Sequence, residues 1–237
     1  MIYVCSDLHG CDPGDLQRLL RQAGFGQEDF LFILGDVIDR GERGAELLLW
    51  LTQQPNMQLI LGNHEALMLA CRFLFEQVTE QTLDKLTVKE LALVQDWVSN
   101  GGGPTLAGLR RLLKEDPDSL YGMLEYLEDA PLFEEIEVNG RNFILVHAGL
   151  GNFRPERPLE EYAPEELLLD RPGLDACYIP DTRVIFGHTP TLLYGEQYRG
   201  RAIHTDSWSC IDVGVSFGCP PMVLRLEDLQ EFYLQRD

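Results

Sequence analysis

Five short apolar runs, each cut off by a small or polar residue, restrict what this chain can fold into. They are "IYVCSD" (2–7), "FLFILGD" (30–36), "MQLILGN" (57–63), "NFILVHAG" (142–149) and "RVIFGH" (183–188). Their length and their content of β-branched residues and phenylalanine suit strands buried on both faces. Helical patterns separate the first three. In "DPGDLQRLLRQAG", Asp12 fits an N-cap and Pro13 the first helical position, and Leu16, Leu19, Leu20 and Ala23 share one face. "ERGAELLLWLTQ" and "HEALMLACRFLFEQ" show similar spacing. Strand-helix-strand alternation implies an α/β fold with a parallel sheet, in which ligands gather beyond the carboxyl ends of the strands.

Every one of those ends carries a candidate metal ligand: Asp7 and His9, Asp36, Asn63 and His64, His147, and His188. Four of the five histidines follow a strand; His204 does not and is read as structural or surface. "GDVIDRG" (35–41) sets Asp36, Asp39 and Arg40 directly after a buried run, where charged groups are costly unless something holds them. Divalent cations would do so. Asp7 and His9 alternate by two, which on an extended chain turns both side chains the same way, toward one ion. Asp36 would bridge two ions through its two oxygens, and Asn63, His147 and His188 would complete the second. Two ions about 3.5–4 Å apart can clamp the attacking and leaving oxygens of an in-line displacement and generate hydroxide at neutral pH. The expected cofactors are two divalent metal ions, Mn favoured, with Fe, Zn or Co admitted by the same mixed ligands.

With 237 residues, 45% of them apolar, the chain is long enough for a large core, and we read it as one domain over 1–237. Residues 79–135 read as a helical insertion between two halves of the scaffold, with the character of a lid. "EEIEVNGRNFILV" reads as a hairpin turning at Asn139-Gly140, and the tail from "SCIDVG" onward as two or three more antiparallel strands. The Pro-rich segment 152–166 reads as a loop. A formal net charge of −20, from 19 Lys and Arg against 39 Asp and Glu, argues against nucleic acid or an anionic membrane as partner. "MIYVCSD" starts as a strand rather than a signal peptide, and no apolar run reaches the roughly 20 residues of a membrane span. Six cysteines without a C-x-x-C pair read as reduced thiols, so the expected location is cytoplasmic.

"SDLHG", "GDVIDRG", "GNHE", "HAG" and "FGHTP" together resemble, in order and spacing, the signature blocks of calcineurin-like metallophosphoesterases, specifically the phosphoprotein phosphatase branch. They span residues 6 to 190. The compact bacterial and bacteriophage-type serine/threonine phosphatases also carry an "NGGG"-like stretch, here 100–103, and an "ID-G" block, here Ile211, Asp212 and Gly214. The resemblance implies a sandwich of two mixed β-sheets flanked by helices. It assigns Asp7, His9 and Asp36 to one ion and Asp36, Asn63, His147 and His188 to the other. It further implies His64 as the general acid, Asp39 as the partner that orients it, and Arg40 as a phosphate clamp, with Asn63 beside the same phosphate. A carboxylate-paired imidazolium can donate a proton near pH 7, and a guanidinium fork suits two phosphate oxygens. The second phosphate-binding arginine would be Arg171, with Arg154, Arg157 and Arg183 as rivals in the same interval. "NGGGPT" could cradle a phosphate, but a plain turn between helices is the simpler reading.

The function expected from this resemblance is hydrolysis of phosphoserine and phosphothreonine esters, with phosphotyrosine or small phosphoesters as further substrates. The alternative is hydrolysis of dinucleoside tetraphosphates or other nucleotides. Asp39, Glu65 and Thr189-Pro190 speak for the phosphatase side, because the tetraphosphatase branch typically lacks an acid at the position of Asp39, ends its third block in "GNHD" and lacks the Thr-Pro. A partner-binding scaffold without catalysis is a third possibility, opposed by the filled ligand positions.

Overall fold

The computed structural model describes residues 1–75 and 87–235. Strands β1 (Ile2–Cys5), β2 (Phe30–Ile33) and β3 (Met57–Leu59) run parallel, with α1 (Pro13–Gln22) and α2 (Gly44–Thr52) as the crossovers. Asp12 caps α1 as its sequence suggests, accepting from Gly14 N at 2.7 Å. Beyond β3, "NHEALMLA" forms α3 (Asn63–Ala70).

The sheet that these strands begin has the order β10-β9-β1-β2-β3, and a second sheet has the order β4-β5-β6-β8-β7. Strands β4 (Phe133–Val138) and β5 (Arg141–Val146) form the expected hairpin, and Asn139 (φ 51°) and Gly140 (φ 74°) both take the positive φ of a type I′ turn. β6 (Thr182–Phe186) pairs parallel to β5. The tail only partly follows its sequence pattern. β7 (Ile203–His204) and β9 (Met222–Arg225) with β10 (Gln230–Tyr233) make antiparallel pairs, but β8 (Trp208–Cys210) lies parallel to β6. Two mixed five-stranded sheets flanked by helices therefore make up the molecule.

Strand alternation builds the core in layers. Tyr3, Cys5, Leu31 and Ile33 face the helices, whereas Val4, Phe32, Phe143, Leu145 and Ile185 fill the space between the sheets. Ile144, Val146, Val184 and Phe186 point to the far side, where they pack with Trp208 and Tyr178. Truncating Leu145 to alanine would cost about 2–5 kcal/mol by opening the inter-sheet layer.

Of the expected insertion, residues 79–86 lie outside the described residues. The remainder forms α4 (Val88–Trp97), a wide kinked turn (Val98–Gly102), α5 (Gly103–Glu115) and α6 (Pro117–Glu128), and β4 already begins at Phe133. Trp97, Leu109, Leu120, Leu124 and Leu127 are buried in one cluster with Leu47, Leu48 and Leu51 of α2, because each helix carries an apolar stripe that must be covered. All six cysteines are free. Among the described residues no helix is long and apolar enough to cross a membrane.

Candidate metal centre

The carboxyl ends of β1, β2, β3, β5 and β6 meet at one place, and the loops that leave them carry Asp7, His9, Asp36, Asn63, His147 and His188. The backbone there is not extended. Asp7 (φ 52°), His9 (41°), Asp36 (54°), Asp39 (68°), Arg40 (66°) and His188 (61°) all occupy the left-handed region, which costs a non-glycine residue about 1–3 kcal/mol. Asp7 and His9 thus converge by a turn and not by strand alternation as expected. Cross-loop bonds hold the turn: Asp7 N donates to Gly35 O (3.1 Å) and His9 N to Asp36 O (2.9 Å). Two glycines allow the close approach. A Cβ at Gly35 (φ 79°) would collide with the Gly62 backbone, and one at Gly187 with Ser6 Oγ and Asp7 Oδ2.

Asp36 sits at the middle. Its Oδ2 lies 3.8 Å from His9 Nε2 and 3.8 Å from His64 Nε2, and its Oδ1 lies 3.5 Å from His147 Nε2. Asp7 Oδ1 is 3.9 Å from His9 Nε2. On the other side, Asn63 Oδ1 is 2.9 Å from His147 Nε2 and 2.8 Å from His188 Nδ1. Two groups of donor atoms close enough to hold one cation share Asp36: His9, Asp36 and His64, and Asp36, His147 and His188. The first differs from the expected set in that His64 stands in it and Asp7 does not, although Asp7 Oδ1 is near His9 and His64 also has a separate partner.

The donor chemistry fits divalent cations. His9 Nδ1 donates to Ile38 O (3.1 Å) and His147 Nδ1 to Leu34 O (2.6 Å), which leaves Nε2 of each ring with a lone pair aimed into the centre. His147 Nε2 therefore faces Asn63 Oδ1 as acceptor against acceptor, a contact that a cation between them would reconcile. Burial raises the Asp7 carboxyl to about 8 and holds Asp36 well above the carboxylate range. Burial likewise lowers His147 and His9, and lowers His188 to about 2 with help from the charges of His147 and Arg171. Buried carboxyls and neutral imidazoles are the groups whose anionic and neutral forms a divalent ion selects.

His64 opens α3 and is tied to Asp39. Its Nδ1 donates to Asp39 Oδ2 at 2.7 Å, with both side chains buried. Burial opposes the charged ring, but the hydrogen bond to Asp39 and the Asp36 and Asp39 charges prevail, so His64 titrates above the ordinary histidine range. Arg40 reaches over the centre, with its two terminal nitrogens 2.9 Å from His9 Nε2 and 3.1 Å from His64 Nε2. The structure separates the four rival arginines. Arg157 is paired with Glu166 (2.7 Å) and lies over the Tyr162 ring, and Arg183 donates to the carbonyls of Thr205 and Trp208. Arg154 is exposed on its loop, while Arg171 reaches Thr189 Oγ1 (3.4 Å), next to His188. His204, as expected, is elsewhere and pairs with Glu231 and Ser209.

Several residues at the centre were not singled out for it by the sequence. The Glu65 carboxylate is fully buried and accepts from the backbone N–H groups of Asp36 (2.8 Å), Val37 (2.8 Å) and Ile38 (3.2 Å), which fixes the loop that carries Asp36. Asp212 is buried with Oδ1 bonded to Gly214 N (3.0 Å) and Oδ2 without a partner; burial raises it to about 7. Trp97 donates from its indole nitrogen to Asp39. The "GNHE" block contains a signal for Glu65, whereas the Trp97 contact joins residues 58 apart and leaves no local pattern.

Two open grooves flank the centre. One of about 390 Å³ is bounded by His9, Cys11, Asp12, Arg40 and Ser216, and the other, of about 440 Å³, by Asn63, Leu67, Asp96, Leu168 and Leu169. A cavity of about 490 Å³ between Arg141, Tyr178 and Arg183 lies at the opposite ends of β5 and β6 and carries none of the candidate ligands.

Comparison with known proteins agrees with this geometry. The chain is 32% identical over 150 residues to a symmetrical bis(5'-nucleosyl)-tetraphosphatase of Actinobacillus succinogenes, covering 62% of this chain and 44% of that protein. It is 28% identical over 176 residues to the protein of the same name from Paracidovorax citrulli, covering 73% of this chain and 53% of that one. The chain thus spans about half the length of these curated relatives. Among solved structures, "a putative diadenosine tetraphosphatase" superposes with a TM-score of 0.61 at 20% identity, covering 97% of this chain and 90% of that one. A serine/threonine phosphatase from Saccharomyces cerevisiae superposes with a TM-score of 0.53 at 17% identity, covering 100% and 80%. At such identities these two report the fold alone. Residues 1–192 match the family described as calcineurin-like phosphoesterase, and on that match, with the sandwich and the ligand-bearing strand ends in place, this chain belongs to the calcineurin-like phosphoesterases.

Proposed function

We propose that this chain is a two-metal phosphohydrolase whose substrate is a dinucleoside tetraphosphate. The observation that carries the reaction is Asp36, whose two carboxylate oxygens face two separate groups of ligands. Bound there, a pair of divalent ions, Mn²⁺ in our reading, would activate water and neutralise charge on the phosphate being attacked. Asp7, His9 and Asp36 would hold one ion, and Asp36, Asn63, His147 and His188 the other. The residues around them do the rest. Arg40 and Arg171, with the Asn63 amide, bind and orient the phosphoryl oxygens, and His64 gives a proton to the departing oxygen while Asp39 fixes its ring.

The names of the relatives support the dinucleotide substrate. The two grooves also suit a substrate with an arm on each side of a central polyphosphate. A second reading, phosphoserine and phosphothreonine esters, is favoured by the buried Asp39–His64 pair, because a serine alkoxide needs a proton to leave far more than a nucleoside diphosphate does. Metal-stripped protein assayed with and without Mn²⁺ on diadenosine tetraphosphate and on a phosphoserine peptide decides between them. Metal-dependent cleavage of the dinucleotide is expected; metal-dependent phosphate release from the peptide alone would replace this reading with the second.

A further inference from the structure

The stretch from the last residue of α4 into the first turn of α5, "WVSNGGGPT" (97–105), makes three contacts with Asp39 and Arg40. Trp97 Nε1 donates to Asp39 Oδ2 at 3.0 Å and lies 3.2 Å from Oδ1. Asp39 N donates to Thr105 Oγ1 at 2.9 Å. Arg40 N donates to Gly101 O at 2.9 Å. Trp97, Asp39 and Thr105 are all buried. Gly101 takes φ 101° against the Arg40 side chain, and a Cβ at Gly102 would collide with the Trp97 indole ring, so two glycines of the run are needed where they stand.

We propose that Trp97, supported by Thr105, is a positioning residue for the proton-donating pair. Asp39 Oδ2 accepts from both Trp97 Nε1 and His64 Nδ1, so the indole fixes the carboxylate orientation that in turn fixes the His64 ring. The helices at 88–115 thereby act on catalysis from beneath the site, and the glycine run is the joint that lets them approach. This inference rests on His64 being the proton donor. A hydrogen bond from an indole to a charged acceptor in a buried setting is strong enough that its loss should slow proton delivery about tenfold.

The test compares Trp97→Phe and His64→Asn with the unchanged enzyme, all Mn²⁺-loaded, on phenyl phosphate and 4-nitrophenyl phosphate. Phenolate is the more basic leaving group and depends more on the proton. Trp97→Phe is expected to lower kcat about tenfold on phenyl phosphate and less than about threefold on 4-nitrophenyl phosphate, with KM and metal content unchanged. In an Asp39→Asn background it should cause no further selective loss, since the indole acts through that carboxylate. Equal losses on both substrates, or a full additional loss in that background, would overturn the positioning role. If Trp97→Phe does not fold, Thr105→Val is judged by the same two substrates and the same ratio. His64→Asn separates the two claims: should it lose equally on both substrates, the proton-donor reading itself fails. Should it alone be selective, only the role of Trp97 does.

Discussion

Asp39 Oδ2 stands 2.7 Å from His64 Nδ1, and neither side chain is open to solvent. From this pairing His64→Asn is expected to keep both metal positions filled and to lower kcat about 10²-fold for basic leaving groups, and much less for nitrophenolate. Elemental analysis with steady-state kinetics on the two phenyl phosphates checks this. Equal losses on both substrates would remove His64 as the proton donor, and a loss of metal would place it among the ligands, where its 3.8 Å approach to Asp36 would then belong.

The bridging role of Asp36 predicts a different defect. Asp36→Asn keeps the side-chain volume but removes one charged oxygen, so at least one ion should be lost from a protein that still folds. Metal content measured after gel filtration, alongside circular dichroism, reports this directly. Retention of both ions would show that Asp36 does not bridge.

Metal removal should change how stability depends on pH. Without metal, burial raises Asp7 to about 8 and Asp36 well above its ordinary value, so the folded chain holds protons that the unfolded chain has lost above about pH 4. That contribution to stability falls as pH rises toward 8. The lowered His9, His147 and His188 act oppositely, but only below about 6.5, where unfolded imidazoles take up protons. Between about pH 6.5 and 8 the raised carboxyls remain, and the raised His64, which keeps a proton that the unfolded chain has lost, acts in the same direction. The melting temperature of metal-stripped protein should fall across that window, and the increment given by Mn²⁺ should grow. An increment that is constant or shrinks with pH would contradict the assignment of Asp7 and Asp36 as ligands.

Glu65→Gln tests what holds the Asp36 loop. The amide offers one accepting oxygen to three backbone N–H groups that now share two charged ones, so folding stability should fall by about 2–4 kcal/mol. Urea unfolding measures this. A change of a few tenths would mean that the left-handed turn at Asp36 to Asp39 is maintained without Glu65.

These sites differ in how far they could be read from the chain itself. The meeting of Asp7, Asp36, Asn63, His147 and His188 at one end of the sheets is legible because each lies within a few residues of an apolar run, and the end of a buried strand is where an α/β sheet exposes chemistry. The parallel order of β1, β2 and β3 followed from the helices between them. The split into two sheets did not follow from periodicity, since runs buried on both faces look alike in either sheet, and it was expected only from the resemblance. The left-handed φ values at six site residues were invisible, because Asp, His and Arg give no local sign of a conformation that the tertiary bonds impose. Arg171 could not be told from Arg157 by sequence; a partner, Glu166, separates them in space. Trp97 lies within a stretch that its sequence marks only as part of a helical insertion, and only the chain path brings its N–H to Asp39.

In the reading proposed above, hydrolysis depends on two divalent ions held around Asp36. Stripped protein titrated with Mn²⁺, following bound metal by elemental analysis and hydrolysis of 4-nitrophenyl phosphate in the same samples, tests it most directly. The account predicts two equivalents bound per chain, with activity reaching its plateau only as the second site fills. Binding that saturates at one equivalent, or activity that persists in stripped protein, would contradict it.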